Sequence, residues 1–207
     1  ALQLILPLAL GIVLGRVRSY VDFVVERVFF RSKFLTERAL KAFARHAYHY
    51  EDLPKLLDST VQEIQRHVGP PAMAIYAAEG TRYRRLRYAG DIDFPPQLDK
   101  DDPALVAIRA EHQAVDLADV VSALGSDGCV FPMTVSGTSR EVLICANRPG
   151  SHYATFEKVL LTAVAQAVGA AWRNLRARDN EAYIQAMAAG EFSQKSAREL
   201  ARSLVLN

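Results

Sequence analysis

Cysteine is scarce. Cys129 and Cys145 are the only two among 207 residues, too few for a disulfide framework and too widely spaced for a short metal motif. Both fall in apolar runs, where a free thiol behaves as a small hydrophobe, so a reducing compartment is the expected setting. Charge of one sign is lacking as well: 25 basic side chains face 23 acidic ones, a net of +2, and no overall field points to nucleic acid. There is no glycine-rich phosphate loop, no Ser-His-Asp order and no pair of carboxylates set for acid–base work. The histidines (His46, His49, His67, His112, His152) form no ligand constellation; only His46 and His49, three apart and near Glu51 and Asp52, have a spacing that a metal could use. These absences argue against an enzyme. Disorder is excluded too, because half of the chain is hydrophobic and 23% is charged.

What is present is a change of solvent along the chain. Ala1 to Gly15 holds one polar side chain, Gln3, and is a few residues short of the about 20 that span a bilayer. The chain opens on Ala rather than Met, so this run reads as the end of a longer apolar segment. From Arg16 to Tyr50, eight basic residues (Arg16, Arg18, Arg27, Arg31, Lys33, Arg38, Lys41, Arg45) face three acidic ones (Asp22, Glu26, Glu37). Positive charge after the apolar run is the pattern of a membrane segment whose C-terminal side is cytoplasmic. A buried helix and a processed signal are the alternatives, although a signal would carry its charge in front. Residues 19–50 contain no Gly or Pro and read as one long helix, either solvated and packed on its own domain or juxtamembrane and dimerising.

The remainder reads as a globular module. Asp52 and Pro54 open a helix with Leu53, Leu56, Leu57, Val61, Ile64 and Val68 at helical spacing, and Gly69-Pro70-Pro71 ends it. Residues 72–78 and 82–89 form a hairpin about Glu79-Gly80. The arginines at 84, 85 and 87, interleaved with Tyr83, Leu86 and Tyr88, could follow a nucleic-acid backbone, but fit an outer strand with one wet face better. A loop over 90–102, a short helix over 103–112 and a short strand over 114–117 follow. Residues 129–135 and 140–146 then form a second hairpin, and a long helix begins near Thr155. Hairpin-paired strands flanked by helices make the fold class α+β with an antiparallel sheet.

In this order the chain resembles a GAF domain, a small-molecule sensory module of bacterial signalling proteins. The likeness covers residues 51–178. It rests on the Leu53-Pro54-Lys55-Leu56-Leu57 helix start, the Val130-Phe131-Pro132-Met133 strand, the strand from Arg140 to Asn147, and the closing run from Tyr153 to Leu161 and on to Ala167. The resemblance implies a central antiparallel sheet of five to six strands. Its first and last helices would pack on one face and often continue into a dimer, and the loops over 90–124 would cover a ligand pocket on the other. The pocket would draw on Tyr76, Tyr88, Phe94, Leu105, Ile108, Phe131, Met133 and Ile144, with strand parity deciding which of them face it. The Asn-Lys-x-Phe-Asp-Glu pattern of cyclic-nucleotide-binding members is absent, and no cysteine occupies a bilin-attaching position. The cofactor therefore stays unknown.

The organisation expected is a membrane segment over 1–15, a basic linker helix over 16–50, the GAF-like domain over 51–178 and a helical extension over 179–207. The function expected is a non-catalytic sensory domain at the inner face of a bacterial membrane. It would be homodimeric through its long helices, bind an unidentified small molecule, and pass its signal to an output domain or partner. A ligand-free adaptor of the same fold is the alternative. A thiol-dependent methionine sulfoxide reductase is the third reading, since a few GAF proteins carry that activity.

Overall fold

The computed structural model describes residues 34–134 and 140–188. The chain divides into two compact units, Ala1–Ala39 and Leu40–Asn207. In the first, residues 34–39 are helical. The expected membrane segment and most of the basic linker lie outside the described residues, as does the end of the C-terminal extension. Among the described residues no helix is long and apolar enough to cross a membrane.

Helix α1 occupies residues 34–46 and a 3-10 turn follows at Ala47–His49. Helix α2 (Leu53–His67) starts at Asp52, whose backbone is extended as an N-cap requires, although its side chain makes no capping bond. It ends as its sequence demands: Gly69 takes φ +64° and its N–H returns to the Ile64 carbonyl. The sheet contains β1 (Ala72–Glu79), β2 (Arg82–Gly90), β3 (Gln97–Asp99), β4 (Val115–Asp116), β5 (Gly128–Pro132) and β6 (Glu141–Ala146). Its order is β3-β2-β1-β6-β5-β4, with every pair antiparallel. Helix α3 (Pro103–Glu111) and a 3-10 turn (Leu117–Asp119) interrupt the strands, and α4 (Thr155–Ala188) closes the chain. At 34 residues, α4 is about 51 Å long. It runs without a break through residue 178, the boundary expected from sequence.

The sheet is buried on both faces. One face sets Met73, Ile75, Phe131, Leu143 and Cys145 against Leu40 of α1, Leu56, Leu57 and Ile64 of α2, and Leu161, Val164, Val168 and Trp172 of α4. The other sets Ala74, Tyr76, Val130, Val142 and Ile144 beneath Phe94, Leu105, Ile108, Leu117 and Leu124. Gly169 explains how tightly α4 approaches. A Cβ built there would stand 1.8 Å from the Met133 carbonyl oxygen, so only glycine lets helix and sheet come this close.

Candidate functional site

The second face is roofed mainly by loop, which the sequence pattern alone does not hold in place. A few polar bonds do. Tyr76 reaches across from β1 and donates its hydroxyl to the Pro95 carbonyl at 2.6 Å. Arg85 donates to the Phe94 carbonyl and, at 3.3 Å, to Asp93. Asp102 caps α3 by accepting from the Ala104 N–H at 3.0 Å, and it also accepts from Ser122 Oγ (2.8 Å) and the Ala123 N–H (2.9 Å). One buried carboxylate thus ties the start of α3 to the far end of the roof. Burial raises the Tyr76 phenol well above its ordinary value, the more so beside Asp93 and in spite of Arg85, which keeps it a donor.

Five of the eight residues expected at a pocket meet here. Tyr76, Leu105, Ile108 and Ile144 are wholly buried and Phe94 is 1% exposed. Three are elsewhere. Phe131 and Met133 project from the opposite face into the core beneath α4. Side chains alternate along β5, so it is Val130 that looks towards the roof. Tyr88 pairs with Ala74 but stays 36% exposed, outside the cluster. Its hydroxyl is shared by the Gly90 and Ile92 carbonyls, and the Arg85 guanidinium lies 4.7 Å over its ring. Residues missed by sequence reasoning include Tyr83 and Leu98, buried in the same cluster from β2 and β3. The signal for Tyr83 is obscured by its arginine neighbours. Between Ile75 and Tyr76 the pairing slips by one residue, so that Arg85 faces Tyr76 while Arg87 faces Ile75. That bulge sends Arg87 to Asp58 of α2 at 2.5 Å and leaves Leu86 packed against the helix-side core. Arg82 and Arg84 likewise meet Gln97 and Glu79. The arginines of β2 thus serve intramolecular contacts.

Two further polar groupings flank α4. At its start, Asp116 accepts from Cys129 Sγ at 2.7 Å and from Lys158 Nζ at 2.5 Å. Burial pushes the Asp116 carboxyl up, but those two bonds outweigh it and hold the group below its ordinary value. The Cys129 thiol is pushed up to about 12 by burial and by that same carboxylate. Cys145 is raised by burial first and then by Cys129. Both surroundings favour the protonated thiol at rest. Further along, Glu141 is 4% exposed, and burial lifts its carboxyl in spite of Arg176, 3.5 Å away. A cleft of about 570 Å³ opens beside that pair, between Asp52 and Pro54 of α2, Arg140, and Leu175, Arg176 and Asp179 of α4. His46 Nδ1 bonds the Ala42 carbonyl at 2.9 Å, and among the described residues no group of three or more metal-binding side chains occurs.

No family model matches the chain and no curated protein matches it by sequence. Solved structures do match its fold. The GAF domain of a phosphoenolpyruvate-protein phosphotransferase from Coxiella burnetii superposes with a TM-score of 0.57 at 14% identity, over 69% of this chain and 95% of that one. The chain has a GAF-like fold. The GAF-B domain of DevS from Mycobacterium smegmatis matches at a TM-score of 0.51 and 16% identity, over 63% of this chain and 99% of that domain. A free methionine-R-sulfoxide reductase from Neisseria meningitidis, solved with its substrate, matches at 0.59 and 14% identity, over 70% and 92%. Two GAF domains and a reductase thus share this architecture, and identities this low speak to the fold alone.

Proposed function

We propose that this chain is a non-catalytic regulatory GAF domain that works as a homodimer and passes its signal along α4. The observation that carries the reading is the outer face of that helix. Val159, Ala163, Gln166, Ala170, Arg173, Ala177, Asn180, Ile184 and Met187 follow a 4-3 spacing on the side opposite the buried Leu160, Val164, Val168 and Leu175 stripe. Val159, Ile184 and Met187 are 65%, 63% and 56% exposed. A seam of this period packs against another helix and suits a second copy of the same one. The sensing element is the roofed face, and its ligand is a small molecule that inserts between Tyr76 and the Phe94–Pro95 segment in place of the Tyr76–Pro95 bond. A ligand favouring the open roof need supply only about 1–3 kcal/mol to couple the two ends. The N-terminal apolar segment is the membrane tether in this reading, on the inner face.

The ligand-free adaptor remains the second reading, and the near-complete burial of Tyr76, Phe94, Leu105, Ile108 and Ile144 favours it. The high-lying thiols weigh against the reductase reading. Native mass spectrometry of the full chain in detergent tests all of this. A dimer with a stoichiometric adduct supports the sensor, and a clean dimer the adaptor. A dimer that persists unchanged in Ile184→Glu/Val159→Glu rejects the α4 seam.

A further inference from the structure

The two scarce cysteines have become neighbours. Cys129 of β5 and Cys145 of β6 are direct cross-strand partners, both reduced, and both on the helix side of the sheet. The kind of pairing follows from one bond beyond the strand. The Met133 N–H donates to the Glu141 carbonyl at 3.2 Å, so that pair is of the hydrogen-bonded type. Types alternate along an antiparallel ladder, and counting back in register makes Phe131–Leu143 and Cys129–Cys145 hydrogen-bonded pairs also. Their Cα atoms then stand about 5.5 Å apart, inside the about 4.4–6.8 Å that a disulfide spans.

Access comes from the sheet edge. β4 is only two residues long, and Asp116, the partner of Cys129 on that strand, is the last strand residue on that side. The Asp116–Lys158 ion pair covers Cys129 Sγ, with the two side chains 32% and 28% exposed.

We propose that Cys129 and Cys145 are a thiol–disulfide modification site, closed by a hydroperoxide that enters past the Asp116–Lys158 pair. Cys129 loses its proton and its sulfur attacks one peroxide oxygen, breaking the O–O bond. The products are a sulfenic acid and, for hydrogen peroxide, one water. Cys145 sulfur then attacks the sulfenic sulfur, the S–O bond breaks, and its oxygen leaves with the Cys145 proton as a second water. Two electrons pass from the two sulfurs to the peroxide. Cβ atoms of a hydrogen-bonded pair begin about 5.5 Å apart and must approach to about 3.8 Å, so the bond draws β5 and β6 together. Those strands lead into Met133 and Glu141, which contact α4 at Gly169, Arg173 and Arg176. Oxidation thus acts on the same helix that carries the proposed output, by a route separate from the roofed face.

Asp116 is a positioning residue here, since its carboxylate both shields the thiol and opposes its ionisation. The test treats the full chain with hydrogen peroxide, denatures it, blocks free thiols and measures intact mass. The expected result is a monomer lighter by two hydrogens with no alkylated thiol, restored by dithiothreitol, and lost in both Cys129→Ser and Cys145→Ser. Asp116→Asn should oxidise faster by about threefold or more, because each unit by which the thiol pKa falls raises the thiolate about tenfold while lowering its nucleophilicity. Two unmodified thiols, a gain of oxygen without cross-linking, or a disulfide between two chains would each overturn the proposal. An Asp116→Asn protein that melts like the parent yet oxidises no faster would overturn the role of the carboxylate. Both serine variants keep a group of similar size, and their melting curves separate a lost cross-link from a lost fold.

Discussion

Gly169→Ala is the substitution on which local and tertiary physics disagree most sharply. In an isolated helix the change stabilises by about 1 kcal/mol, because alanine is the best helix former and glycine among the worst. Here the new methyl carbon would lie 1.8 Å from Met133 O, 2.7 Å from its carbonyl carbon and 2.9 Å from its Cβ. None of these belongs to the far end of a flexible side chain. The carbonyl is also held in place, since Met133 N–H bonds Glu141 and Arg173 donates to Met133 O at 3.3 Å. Ordinary contact requires about 1.5 Å more room, and a gap of about 0.5–1 Å already forfeits a quarter to a half of the dispersion energy of the atoms on either side. The atoms affected belong to Val168 and Trp172, both fully buried. Overpacking of this kind costs about 1–3 kcal/mol, and more when backbone must move. We expect a net loss of about 2–3 kcal/mol, a fall in Tm of about 4–12 °C for a chain of this size. Urea denaturation followed by the fluorescence of Trp172, the single tryptophan, reads it directly. A variant as stable as the parent, or more so, would refute the close approach of α4 to β5.

Two other outcomes follow from the polar contacts. Tyr76→Phe keeps the ring and removes the hydroxyl that holds Pro95, and should cost about 1 kcal/mol; hydrogen exchange should quicken at the Asp93 and Phe94 amides and not in α2. Glu141 bears on acid stability. Its folded pKa lies above the ordinary 4.5, so the folded state binds more protons than the unfolded chain between those two values. Stability relative to Glu141→Gln should therefore improve for the parent as pH falls through the raised value, and level off below 4.5. A difference independent of pH, measured by urea midpoints from pH 7 to pH 4, would rule out the perturbed carboxyl.

Helix α2 is legible in the sequence because it carries its own punctuation, whereas α1, expected to run on to residue 50, gives way to a 3-10 turn at Ala47–His49 that no Gly or Pro announces. Asp52 and Pro54 open α2, Gly69 closes it, and the apolar residues between repeat at helical spacing. Both hairpins are legible for the same local reason, a turn signal between two short strand-forming runs. β3 is not: three residues with Leu98 alone buried leave no pattern inside a loop rich in proline. Nor is the placement of Tyr88, which depends on the bulge at Leu86 two residues before it in the same strand.

The sequence by itself determined the α+β class, the antiparallel pairing and the order of elements, since each depends on neighbours within a few residues. Only the tertiary structure decided which side chains face which core. β5 and β6 are buried at every position, so neither shows the wet–dry alternation that would betray its parity. A slip of one residue exchanges all faces at once. That is why Ile144 and Tyr76 meet under the roof while Phe131 and Met133 do not, and why two cysteines sixteen positions apart stand side by side.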